Sequence, residues 1–188
     1  VEYPGLVKKT GNTLASQGTS NTLSDSTSEF YYTLQTDIPE EHSAYYYSSC
    51  EVSDTLPAGV DFAGYAAVKM LPSENDVTSW FSISTDGDVI NLQATQAALS
   101  QADFYGKTYE FQIKVRMDPT EITPVYSGDS YRYEVKNKAS ITCQHINGLA
   151  GTSWSDEVTT DCTRYKNKVV NASVKKYTAN LQDGVWRE

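Results

Sequence analysis

The alternation of apolar and polar residues along the chain predicts a succession of β-strands. Successive side chains of a strand point to opposite faces, so a period of two marks a half-buried strand. In 109–117 Phe111, Ile113, Val115 and Met117 take one face, and Glu110, Gln112, Lys114 and Arg116 the other. A strand over 29–38 gathers Phe30, Tyr32, Leu34 and Ile38 and ends at Pro39. Further strands are predicted over 4–9, 44–56, 65–70, 79–84 and 131–143. Asp86-Gly87-Asp88 predicts a hairpin turn between strands. The polar stretches 10–28 and 144–161 read as loops, and 94–103 as the one short helix.

Three strands carry a polar residue on an apolar face. In the strand from Ala44, one face holds Tyr46, Ser48, Cys50, Val52, Asp54 and Leu56, so a carboxylate falls between two core residues. In 131–143 the apolar stripe is Tyr131, Tyr133, Val135, Asn137, Ala139, Ile141 and Cys143, with Asn137 as its odd member. In the first strand Leu6 and Lys8 share one face and Val7 and Lys9 the other, so one lysine follows an apolar neighbour inward. Burying such groups is costly unless they are paired or hydrogen-bonded. A lysine, an acid and an asparagine are thus each predicted to face a β core. Taken singly, each has a plainer reading: Lys8 as an edge-strand charge, Asp54 as a turn cap and Asn137 as an amide satisfied by backbone. Lys9 is the rival of Lys8, and Asn171 a weaker rival of Asn137.

Those positions carry a family resemblance. Pro4-x-Leu6-x-Lys8, the run Ser53-Asp54-Thr55-Leu56-Pro57-Ala58-Gly59-Val60, and Val135-x-Asn137-x-Ala139-x-Ile141 occur in that order. Together they resemble the isopeptide-forming domains of Gram-positive pilins and surface adhesins, of the collagen-adhesin A-type or fimbrial D2-like kind. The resemblance implies an all-β fold, an Ig-like (inverse Ig) β-sandwich with an intramolecular isopeptide cross-link. It implies that Lys8 and Asn137 condense into an amide, with Asp54 as the catalytic acid that shuttles protons.

Such chemistry requires burial. A solvated lysine has a pKa of about 10.4 and is a poor nucleophile near neutrality. Desolvation lowers a lysine pKa and raises that of a carboxyl group. A neutral amine can then attack the carboxamide carbon while the acid passes protons to the leaving ammonia. Holding the partners in contact supplies roughly 7–11 kcal/mol toward a reaction with a sluggish electrophile.

Composition narrows the setting. A chain of 188 residues, rich in tyrosine, suits one β domain or one domain with an extension. We divide it into an isopeptide-forming sandwich over 1–143 and an extension over 144–188 that completes the domain or begins the next. The run 172–181, ASVKKYTANL, shares Val, Lys, Lys and Leu with GLVKKTGNTL at 5–14. The net charge of −9 disfavours nucleic acid and anionic membranes as partners. No apolar run approaches the roughly 20 residues of a membrane span. Neither a cofactor nor a metal site is expected, because His145 has one histidine companion and the Asp86–Asp88 turn lacks the oxygen ligands of a calcium loop.

Three cysteines predict one disulfide with an odd thiol in a secreted chain, or buried thiols. Cys143 and Cys162 flank the 144–161 stretch, and a bridge there would contribute about 3 kcal/mol. Cys50–Cys143 is the alternative if the Asp54 and Asn137 strands lie side by side.

The function expected is that of a load-bearing structural module of a pilus or wall-anchored adhesin on a Gram-positive cell surface. Its partners would be neighbouring pilin or surface-protein domains. It would not be an enzyme beyond a single autocatalytic turnover. A second reading is an adhesin head that binds host protein or glycan through Tyr45, Tyr47 or Trp154. A third is an accessory β-sandwich of an extracellular enzyme, for which no carboxylate pair is evident.

Overall fold

The computed structural model describes residues 2–166. The rival Asn171 and the partial repeat at 172–181 lie outside them. Among the described residues fifteen strands form three sheets around one core. In chain order they are β1 (Val7–Thr13), β2 (Ser16–Gly18), β3 (Ser20–Thr22), β4 (Glu29–Ile38) and β5 (Tyr47–Thr55). There follow β6 (Val60–Leu71), β7 (Asn75–Asp76), β8 (Phe81–Asp86), β9 (Val89–Ala94) and β10 (Lys107–Met117). The last are β11 (Val125–Ser127), β12 (Ser130–Asn137), β13 (Ala139–His145), β14 (Ala150–Trp154) and β15 (Val158–Tyr165).

The first sheet has the order β2-β1-β4-β10-β6-β7, the second β11-β12-β15-β3, and the third β14-β13-β5-β9-β8. All pairings are antiparallel except β15 with β3. The core joins side chains from all three: Phe30, Tyr32, Phe111 and Ile113 from the first, Val135 and Val158 from the second, Val52 and Leu92 from the third. This is the all-β sandwich that the resemblance implies, built from strands of the kind the alternation predicts. The 29–38 strand is found over those residues, and the 109–117 strand begins two residues earlier.

The predicted helix over 94–103 shrinks to α1 (Gln96–Leu99), with a 3-10 turn at Ala102–Phe104. The Thr95 side chain accepts from the Ala98 backbone N–H and caps its start. Val89 pairs with Asp86 across Gly87 and Asp88, giving the tight hairpin expected there, with Gly87 at φ 59°. Gly59, in the turn after β5, has φ 89°, and a Cβ on it would meet Ile122 at 2.2 Å.

Three expectations are corrected. The 10–28 stretch is not a loop: β1 runs through Thr13, and β2 and β3 follow. The 131–143 strand is two strands. Asn137 ends β12 in the second sheet, and Ala139 starts β13 in the third, so the chain changes sheets at Lys138. Side-chain alternation continues across this step, which is why sequence pattern alone does not reveal it. The 144–161 stretch carries β14 and the first half of β15, with β15 between β12 and β3. Their polar outer faces hide them in the sequence, while Val158, Thr160 and Cys162 point inward.

The buried Thr10 and Thr160 hydroxyls hydrogen-bond at 2.7 Å and tie β1 to β15. Thr160→Val preserves shape but leaves Thr10 without this partner. It should destabilise the protein by about 1–3 kcal/mol in urea unfolding, with an unchanged m-value.

Candidate functional site

The junction of the three sheets holds the three polar residues singled out above. On β1 the inward side chains are Lys8 and Thr10, since Lys8 pairs with Leu34 and Thr10 with Tyr32 on β4. Lys9 points outward and is exposed. On β5, Asp54 follows Cys50 and Val52 inward and lies opposite Ala139 of β13. Asn137 occupies the last position of β12, opposite Val158. The step between sheets therefore sets Asn137 two residues before the strand that pairs with Asp54.

All three side chains are buried, Asp54 completely. The Lys8 Nζ forms a close ion pair with Asp54 Oδ2. The Asn137 Nδ2 donates to the other oxygen, Oδ1, at 2.7 Å. Asp54 thus bridges the amine and the carboxamide. Desolvation by burial lowers the Lys8 pKa from its ordinary value, against the attraction and hydrogen bond of Asp54. The face of the Tyr32 ring lies 3.9 Å from Nζ. The arrangement places a desolvated amine, a proton carrier and a carboxamide in one dry cluster.

The other candidate residues are dispersed. Cys50 and Cys143, opposite each other on β5 and β13, form the disulfide. The Cys143–Cys162 pairing is thereby corrected: β15 belongs to another sheet and Cys162 is a buried free thiol. Burial raises its pKa. Tyr47 does not face a ligand. It is 2% exposed and packs against Tyr105 and His145. The chain turns through a 3-10 segment at Ser43–Tyr45 before β5, and an irregularity between Gln144 and His145 shifts the pairing, so the alternation does not extend back to Tyr47. Tyr45 and Trp154 are exposed, as the ligand-facing reading required, but stand on different elements. No group of three or more histidine, cysteine or acidic side chains suited to a metal occurs among the described residues. The sequence pattern marks Tyr32 only as a core residue, because nothing in it distinguishes Tyr32 from Phe30 or Leu34.

No family model matches the chain. It is 27% identical over 139 residues to platelet adherence protein A of Streptococcus gordonii, covering 74% of this chain and 4% of that protein. The fold is similar to that of BcpA, the major pilin subunit of Bacillus cereus, with a TM-score of 0.66 and 22% identity over 86% of this chain and 41% of that one. It is also similar to the full-length major pilin SpaD of Corynebacterium diphtheriae, with a TM-score of 0.62 and 17% identity over 83% of this chain and 34% of that one. The chain therefore has the Ig-like sandwich fold found in Gram-positive major pilins and spans less than half of each of these proteins. Among the described residues no helix is long and apolar enough to cross a membrane.

The cysteine arrangement makes a direct prediction. Thiol titration in denaturant without reductant should find one reactive group per chain, and peptide mapping should locate the label on Cys162. In native buffer that thiol should react much more slowly, because it is buried and its pKa is raised. Label on Cys50 or Cys143 would contradict the pairing.

Proposed function

We propose that this chain is a structural module of a Gram-positive pilus or surface adhesin, strengthened by a self-formed amide between Lys8 and Asn137. The observation that carries the proposal is the bridging of the Lys8 amine and the Asn137 carboxamide by one fully buried carboxylate, Asp54. Burial of the set supports a role inside the fold, and a buried ion pair is weak as a source of stability by itself.

The chemistry follows from the contacts. A proton passes from the Lys8 ammonium to Asp54, which the dry surroundings favour because they penalise both charges. The neutral Nζ attacks Cγ of Asn137. The Nζ–Cγ bond forms, the Cγ–Nδ2 bond breaks, and Asp54 relays a proton from Nζ to Nδ2, so that ammonia leaves. The reaction occurs once per molecule and uses no cofactor.

The product would join β1 of the first sheet to the end of β12 in the second. Tension applied at the N-terminal side would enter at Lys8 and leave at Asn137, so β2 to β11 would carry none of it. The amide would also restrict the unfolded chain. By analogy with a disulfide closing a loop of this size, that contributes about 4–5 kcal/mol. The bond would be indifferent to reductant, unlike Cys50–Cys143. The partners would be adjoining domains that transmit the load.

Intact mass of the purified protein, corrected for one disulfide, should be one ammonia below the sequence mass. Asp54→Ala should fold but keep the full mass, since the amine and carboxamide remain without a proton relay. A wild-type mass equal to the corrected sequence mass refutes the cross-link.

Pulled in a single-molecule experiment, wild type should extend only by residues outside 8–137. In reducing buffer, which opens the Cys50–Cys143 disulfide, Asp54→Ala should extend by nearly the whole domain, while wild type keeps its short extension. Equal extensions would show that no covalent bond carries the force.

A further inference from the structure

Tyr32 contacts the buried cluster, and the chemistry above leaves it without a part. Its side chain is completely buried, and its ring face contacts the Lys8 Nζ at 3.9 Å. Its hydroxyl has no hydrogen-bond partner within the protein. A buried phenol without a partner is destabilising, and phenylalanine would fill the same space without that cost. The polar side chains acting on this hydroxyl are Asp54 and Asn137. Asn137 directs its Nδ2 to Asp54, which leaves its carboxamide oxygen to be matched by a donor from elsewhere.

We propose, on the premise that the Lys8–Asn137 amide forms, that the Tyr32 hydroxyl donates a hydrogen bond to the Asn137 oxygen as negative charge develops there. When Nζ adds to Cγ, the C–O bond loses double-bond character and the oxygen becomes a stronger acceptor. A neutral donor already desolvated in the same buried cluster stabilises that state more than the ground state. The hydroxyl keeps its proton throughout, and the proton relayed from Nζ to Nδ2 still travels through Asp54. Burial, with the neighbouring Asp54 charge, raises the phenol pKa, so the hydroxyl stays protonated as a donor. The ring has a separate task. The Lys8 ammonium rests on its face before proton transfer, which holds Nζ on the core side of β1. The register sets both contacts, because Tyr32 lies opposite Thr10 and diagonal to Lys8 on the same inward face.

The test follows mass loss with time after a short pulse of cell-free synthesis of the full chain. Wild type, Tyr32→Phe, Tyr32→Leu and Asp54→Ala are compared. Tyr32→Phe, which keeps the ring, should lose ammonia about 100- to 1,000-fold more slowly than wild type, the range for removing one donor to a developing oxyanion. Tyr32→Leu, which loses the ring as well, should be slower still. A second measurement separates this role from packing. In the Asp54→Ala background, where no amide forms, Tyr32→Phe should leave the melting temperature unchanged or raise it, because it deletes an unsatisfied hydroxyl. Ammonia loss by Tyr32→Phe at the wild-type rate would overturn the proposal. So would a fall in melting temperature in the Asp54→Ala background as large as that from Tyr32→Leu, which would make the slower reaction a folding defect. Absence of ammonia loss in wild type would instead remove the cross-link itself, and the proposal with it.

Discussion

The contact between a buried lysine and a buried carboxylate imposes the strictest condition on this fold. Removing an ammonium and a carboxylate from water costs several kcal/mol for each ion, and their attraction offsets this only when geometry is good and the remaining polar atoms are satisfied. Here both oxygens of Asp54 are engaged, one by Lys8 and the other by Asn137. The Tyr32 ring covers the ammonium from the β4 side. Loss of any one member would leave the others unpaired in a dry interior. The set is stable as an ensemble of contacts and poorly tolerant of partial removal, which is also the state from which condensation would proceed.

That condition explains the route of the chain. The lysine comes from the first sheet, the acid from the third, and the asparagine from the end of the second. Only a junction of sheets brings three such side chains to one point. The change of sheet at Lys138 places Asn137 there, and the next strand, β13, pairs with the strand that carries Asp54. The disulfide fixes the same β5–β13 pair farther along, at Cys50 and Cys143. The Thr10–Thr160 hydrogen bond holds β1 to β15 beside the cluster. Neighbouring elements are thus tied by several independent contacts around the polar group.

The layout also bounds the mechanical role proposed for an amide. Strands β13 to β15 follow Asn137 in the chain and lie outside the loop between residues 8 and 137. They would remain under load, β13 held to β5 by hydrogen bonds and the Cys50–Cys143 disulfide, and β15 held by hydrogen bonds to β12 and β3. A bond between Lys8 and Asn137 would protect most of the first sheet and leave β15, the partner of β12, as the element that yields. Nothing comparable would follow from an amide made by exposed Lys9.

What the sequence determined rests on period-two alternation, which burial of one strand face enforces. It was sufficient for β10, whose apolar stripe is unbroken, for β4, whose stripe is interrupted only by Thr36, and for the inward placement of Asp54 and Asn137 within otherwise apolar stripes. It could not choose between Lys8 and Lys9, because each follows an apolar neighbour on its own face. That choice was made by pairing of β1 with β4, which turns Leu6 and Lys8 to the core. It could not show β12 and β13 as two strands, because the chain passes between sheets without disturbing the alternation. It missed β14 and much of β15, whose outer residues are as polar as a loop, and it placed Tyr47 outward because a local irregularity in pairing resets the phase. The disulfide partner of Cys143 and the contact of Tyr32 with Lys8 depend on which strands become neighbours. Register and sheet order decide such contacts, and both are set by packing between residues far apart in the chain.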